Sequence, residues 1–398
     1  MNGNLREQIP GLKNKAYFNY GGQGPLPKTS LDAITNSWKI IQDIGPFTNN
    51  VWDFINKEII STKSLISKVM GANTKNIALS ENITTGIVLP LWCINVNIDD
   101  ELLISDCEHP GIVAASREFC KRNNIKLKIF PLQKIKEFDD QKFITEIFKY
   151  ITKNTKVIII SHVLWNFGFQ VPIKGLRKEI NRLKNIPYLI VDGAQSFGHI
   201  DIHEEVKYSD IYAITSHKWA CGPEGLGAFF VSERFINETN PTIIGWKSLK
   251  REQGIYEPNN NLHQEDARKY EIATSCTPLL AGLRESIKLL EIDKLKEERV
   301  ESISKMSNKL WSKLNDLEYI DLILDYPLSN GIVSFNVKKI TNKYFLIKEL
   351  GKKNIWIRLV EDPKWFRACI HQMTTIEEIN SLAQEIKFII KTAIHQGI

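Results

Sequence analysis

The chain has 398 residues, 43% hydrophobic and 25% charged, which is the composition of a globular protein with room for two cored domains. The net charge of +6 is spread among alternating Lys, Asp and Glu with no basic stripe, which argues against a nucleic-acid partner. Six cysteines without a CxxC pair, no signal-peptide core in residues 1–7 and no apolar run of about 18 residues point to a cytoplasmic protein with no membrane partner, no disulfide framework and no zinc knuckle.

In chain order, Asn76 to Leu79 reads as a short strand. Behind it Glu81-Asn-Ile-Thr84-Thr85-Gly86 opens an apolar helix. Hydroxyls and a glycine at a helix N-terminus suit a phosphate, although Thr is also an ordinary N-cap. Leu102 to Ser105 is a second strand, followed by Asp-Cys-Glu108-His109-Pro-Gly and a helix over about Ile112 to Lys121. An imidazole at a strand end can lie flat on an aromatic cofactor or cap the helix.

The alternation Ile125 to Phe130 predicts a strand, Asp139 to Ile151 a helix and Lys156 to Ile160 a buried strand. The last leads into Ser161-His-Val-Leu-Trp165-Asn166, where Asn166 suits a cofactor hydroxyl, a substrate carboxylate or a turn. A helix over Gly175 to Leu183 precedes Tyr188-Leu-Ile-Val-Asp192-Gly-Ala-Gln195. A further strand, Ile211-Tyr-Ala-Ile-Thr-Ser-His, ends on Lys218, with Cys-Gly-Pro-Glu-Gly-Leu-Gly just behind it. Gly225 and Gly227 read as turn residues, not as a dinucleotide fingerprint. Gln253 to Gln264 reads as an exposed loop.

From about Thr277 the pattern changes to one long helical stretch, Leu279 to Leu317. Then come a strand at Gly331 to Val337, a helix at Lys343 to Leu350, a strand at Asn354 to Leu359 and a last helix from Thr375. The expectation is an α/β protein with a mainly parallel central sheet over residues 15–277. A smaller α+β domain over 278–398, joined by residues 1–14, follows it.

In an α/β sheet the ligand sits at the carboxyl ends of the strands, where Asp192 and Lys218 both fall. A lysine amine that condenses with an aldehyde and a carboxylate that keeps a pyridine nitrogen protonated are what pyridoxal phosphate chemistry requires. Arg358 and Arg367 offer guanidinium forks for an amino-acid carboxylate, with a structural ion pair as the alternative, and Arg367 stands in an otherwise apolar stretch where its charge needs a partner. His199 and His203 have metal-pair spacing but alternate like a strand or loop, and no metal is expected there.

Together these motifs, with Tyr17 to Pro27, resemble the class V aminotransferase group of fold-type I pyridoxal-phosphate enzymes, which includes the cysteine desulfurases. Within it the chain looks most like the cyanobacterial cystine (cysteine) C–S lyases. The resemblance implies pyridoxal 5'-phosphate on Lys218, Asp192 at the ring nitrogen, Gln195 (and Asn166) at the ring hydroxyl and His109 stacked on the ring. It also implies Thr84, Thr85, Thr215 and His217 on the phosphate, Thr274 reaching the partner's phosphate in a homodimer, and Arg367 with Arg358 on the substrate.

One departure matters: desulfurases of the group carry a nucleophilic cysteine between the equivalents of Arg358 and Arg367, and Leu359 to Phe366 has none. Cys369, just beyond, is expected to be a small buried residue. The expected activity is β-elimination on cystine, cysteine or a related sulfur amino acid, with iron–sulfur assembly a candidate destination for the sulfur. A desulfurase-like sulfurtransferase and a class V aminotransferase or epimerase are the alternatives.

Overall fold

The computed structural model describes residues 5–134, 139–250, 263–292, 296–361 and 363–396. In chain order the elements begin with strand β1 (Ala16–Tyr17) and helices α1 (Lys28–Ile44) and α2 (Asn49–Met70). An alternating series follows: β2 (Ile77–Ser80), α3 (Ile83–Trp92), β3 (Glu101–Ser105), α4 (Pro110–Asn123), β4 (Lys126–Phe130), α5 (Asp140–Phe148), β5 (Thr155–Ser161), α6 (Ile173–Ile180) and β6 (Tyr188–Asp192). Next are β7 (Ile211–Thr215), β8 (Gly227–Val231), α7 (Glu233–Glu238), α8 (Thr277–Ile292) and α9 (Lys296–Asn315). The chain closes with β9 (Ile320–Leu322), β10 (Ile332–Val337), α10 (Lys343–Lys352), β11 (Ile355–Trp356), β12 (Arg358–Glu361), β13 (Lys364–Cys369) and α11 (Ile376–Gln396).

The central sheet has seven strands in the order β2-β8-β7-β6-β5-β3-β4, and only β8 runs against the rest. Its inner strands are apolar between their polar ends because both faces are covered. The two-residue period divides them: Ile158 and Ile160 join one core, Val157 and Ile159 the other, and β6 and β7 split the same way. The expected α/β architecture with a mainly parallel sheet is what the chain adopts.

A four-stranded antiparallel sheet, β12-β13-β10-β9, forms a smaller layer whose own core includes Phe335, Phe366, Leu346 and Ile386. The N-terminus is tied to this layer, since β1 pairs with β11 and Phe18 lies in its core. The division expected at 277/278 falls at the start of α8, which packs on α1 and α2. Gly282 lets α1 come close, and the Ser30 and Ser286 hydroxyls meet at 2.8 Å.

Several expectations need correction. Of the long helix expected over 279–317, α8 and α9 are described, and residues 293–295 between them lie outside the described set. The strand over 354–359 is two short strands, β11 and β12. The strand before Lys218 ends at Thr215, and the lysine stands three residues further, in a turn. Most of the loop expected over 253–264 lies outside the described residues.

Candidate active site

The carboxyl ends of β3, β5, β6 and β7 lie side by side, and the candidate residues follow them. Asp192 is the last residue of β6, buried, with Oδ1 accepting from the Ala194 N–H at 2.8 Å. Its other oxygen has no hydrogen bond among the described residues. Burial raises its pKa, while Lys218 works against that rise. Lys218 is half-buried, and its amine makes no hydrogen bond among the described residues. Burial pushes its pKa down to about 8; Arg367 and Arg358 add to the effect and Asp192 opposes it.

The turn carrying Lys218 is held tightly. The Cys221 N–H donates to the Lys218 carbonyl at 2.9 Å, with Cys221 itself at a φ of 51°. On the other side the Gly24 N–H donates to the His217 carbonyl at 2.6 Å. A Cβ at Gly24 would collide with the Lys218 carbonyl oxygen, so this approach requires glycine. The segment from Tyr17 to Gly24 thus walls the site, a role the sequence motif alone did not reveal.

The start of α3 is capped by Asn82, whose Oδ1 accepts from the Thr85 N–H at 2.9 Å; Thr84 and Thr85 occupy the first turn instead of the cap. The Thr84 hydroxyl side is exposed. Thr215 Oγ1 lies 2.9 Å from His217 Nδ1, which places these two groups together past the end of β7. Thr274 is exposed between α7 and α8 and makes no hydrogen bond to this cluster among the described residues.

His109 is the N-cap of α4: its Nδ1 accepts from the Gly111 N–H at 3.2 Å, and its exposed ring meets the Trp165 ring edge-on at 5.5 Å. Desolvation by the surrounding protein and the Lys218 charge lower its pKa. Gln195 is buried; its Nε2 donates to the Gly21 carbonyl at 2.9 Å and its Oε1 accepts from Trp219 Nε1 at 2.8 Å. One amide hydrogen remains for a further acceptor. Asn166 is tied into the fold: its Oδ1 accepts from the Phe167 N–H and its carbonyl accepts from Ser334 Oγ at 2.6 Å.

Arg367, on β13, is 1% exposed and has no carboxylate partner among the described residues. Its Nη1 donates to the Trp165 carbonyl at 2.6 Å and its Nη2 to Asn19 Oδ1 at 3.4 Å, while Nε finds no acceptor. Arg358 is its register partner on β12, exposed and likewise unpaired with an acid among the described residues. Cys369 is fully buried, beside Arg367. His199, discounted as a metal ligand, uses both ring nitrogens in the fold, on the Gln195 carbonyl and the Gly331 N–H.

This set fits pyridoxal phosphate. It offers an amine of lowered pKa, a buried carboxylate with a free oxygen, hydroxyls at a helix start and a buried guanidinium lacking a counter-ion. It also contains groups the sequence did not single out: Glu108, buried beside Asp192, and its partners Ser105 and Ser161.

The sequence model of the family described as Aminotransferase class-V matches residues 49–378. Among solved structures, the cystine C-S lyase C-DES in complex with its reaction product cysteine persulfide is similar. It is 33% identical, with a TM-score of 0.90, covering 96% of this chain and 99% of that one. A mutant of C-DES with glycine covalently linked to its PLP cofactor is similar to the same degree, at 32% identity and a TM-score of 0.90, over 96% and 98% of the two chains. A probable cysteine desulfurase of Halalkalibacterium halodurans is 26% identical, over 80% of this chain and 79% of that protein. The isopenicillin N epimerase of Streptomyces clavuligerus is 24% identical over 58% of this chain, which spans only 56% of the epimerase's length. The chain belongs to the class-V aminotransferase family, with the fold-type I architecture of its pyridoxal-phosphate enzymes.

Proposed function

We propose that the protein is a homodimeric pyridoxal-phosphate lyase that breaks the C–S bond of L-cystine, L-cysteine or a related sulfur amino acid by β-elimination. Bound pyridoxal phosphate supplies an electrophilic aldehyde and a ring that takes up the electron pair left when a Cα proton departs. Lys218 anchors it and moves the proton at Cα, a task suited to an amine whose pKa lies at about 8. Asp192 holds a proton on the ring nitrogen; the cation so formed restores the ionised state that burial alone disfavours. Thr84, Thr85, Thr215 and His217 bind the phosphate where the N–H groups and dipole of α3 favour an anion. Thr274 does so from the partner copy, Gln195 and Asn166 serve the ring hydroxyl side, and His109 covers the ring. Arg367 grips the substrate carboxylate and Arg358 stands at the mouth.

The observation that carries the elimination reading is the β12–β13 hairpin. Arg358 and Arg367 are register partners, as are Glu361 and Lys364, so only residues 362 and 363 join the strands. No thiol lies on this connection, where a desulfurase of the group would place its sulfur acceptor. The sulfur must then leave with its own electrons. For cystine, one water is consumed overall, and pyruvate, ammonia and cysteine persulfide result. The similarity to C-DES supports the same choice.

The test is to incubate the cofactor-loaded enzyme with cystine or cysteine and no keto acid. Pyruvate release supports the lyase. Turnover that depends on an added keto acid would make it an aminotransferase, and inversion at Cα without pyruvate an epimerase. Delivery of the sulfur to iron–sulfur assembly is part of the proposal and would be read by cluster formation on an apo-acceptor supplied with the product.

A further inference from the structure

We propose that Glu108 is a positioning residue of this site: its carboxyl ties the ends of β3 and β5 together and so fixes the turn that presents His109. The inference rests on the pyridoxal-phosphate reading above.

β3 pairs with β4 on one side and β5 on the other, while the chain runs from β3 to β4 and from β5 to β6. The strand order therefore reverses between β3 and β5, which opens a crevice at their carboxyl ends. Glu108 bridges that crevice. Ser105, at the end of β3, donates to Oε1 at 2.5 Å, and Ser161, at the end of β5, donates to Oε2 at 2.6 Å. Ser161 is in register with Asp192 on β6, so the bridge abuts the acid of the site.

The neighbouring residues are pinned as well. Ser105 Oγ accepts from the Cys107 N–H at 3.1 Å, Asp106 Oδ1 accepts from the Gln133 N–H at 3.1 Å, and the Cys107 thiol donates to Asp106 Oδ1 at 3.5 Å. His109 lacks such anchors: among the described residues its ring has only the Gly111 N–H and the edge of Trp165. Its placement is inherited from the turn before it.

Glu108 is 4% exposed, and no cation pairs with it among the described residues. Burial, aided by the Asp192 charge, lifts its pKa to about 7 against the help of the two hydroxyls. An acid buried without a cation is costly, and an apolar side chain would fill the volume at less expense to stability. What an apolar side chain cannot do is join two strand ends and fix the next residue. A glutamine can: its oxygen accepts from one serine and its NH2 donates to the other.

A double-mutant cycle on pyridoxal phosphate affinity, measured by titrating the cofactor-free protein and following visible absorbance, tests this. Glu108→Ala and His109→Ala should each weaken binding roughly tenfold, about 1.4 kcal/mol. In the His109→Ala background, Glu108→Ala should add less than about twofold, because its effect runs through His109. Glu108→Gln should bind within about threefold of the parent by keeping both bonds. An equal penalty in both backgrounds, or none in either, overturns the proposal. If Glu108→Ala does not fold, Ser161→Ala, which removes one arm of the bridge, enters the cycle with the same expectations. A parent protein that binds no pyridoxal phosphate would refute the cofactor reading itself, a result distinct from either outcome of the cycle.

Discussion

Burial is the largest influence on the Lys218 amine and outweighs the opposing Asp192 charge. Only the neutral amine attacks an aldehyde. The rate at which pyridoxal phosphate attaches to the cofactor-free protein should therefore rise with pH to a plateau, with a midpoint at about 8. Stopped-flow absorbance would show it, and a midpoint at the ordinary lysine value of about 10.4 would contradict the environment described. Arg367 supplies the second residue-scale prediction. A buried guanidinium without an acid is a place for a carboxylate, and an ammonium cannot reproduce its planar fork. Arg367→Lys should raise KM for the amino acid at least about tenfold, roughly 1.4 kcal/mol, with cofactor affinity nearly unchanged. An unchanged KM would assign the residue to structure alone. Asp192 and Lys218 were legible in the sequence because apolar runs announce buried strands, and polar residues just past them mark the carboxyl edge. Glu108 was not, since its meaning lies in Ser161, 53 positions away.

At the scale of elements, the proposed elimination rests on the hairpin of β12 and β13. The sequence showed that Leu359 to Phe366 lacks cysteine, but not that Arg367 lies within a strand. In Lys364–Cys369 the last four residues are all buried, so the alternation that marks a half-buried strand is missing. The same hairpin places Cys369 in the interior, against Arg367. Cys369→Ala should keep turnover within about threefold, a loss of no more than about 0.7 kcal/mol in activation free energy. Mass spectrometry of the parent during turnover should find no persulfide on that residue. Loss of turnover together with a Cys369 persulfide would make the chain a desulfurase with a displaced thiol. Helices α1 and α2 were not read from the sequence although their apolar residues recur at helical spacing; Leu31, Trp38, Trp52 and Ile60 on them are exposed.

For the whole molecule, those exposed residues and Trp246, whose ring meets Trp52 at 6.1 Å, leave apolar surface on the helical side of the large sheet. Such surface suits the proposed second copy, and Thr274 is exposed as a residue that reaches across an interface must be. Sedimentation equilibrium should give about twice the chain mass of 45.7 kDa. A monomer with full cofactor affinity and turnover would remove Thr274 from the site. Among the described residues no helix is long and apolar enough to cross a membrane.

The most direct test of elimination against transfer is the fate of the substrate carbon. The loaded enzyme would be given 13C-labelled cystine without keto acid or added thiol, and the products followed by NMR. The account predicts labelled pyruvate, with ammonia and cysteine persulfide in equal amounts and no alanine. Labelled alanine, with sulfur retained on the protein, would contradict it.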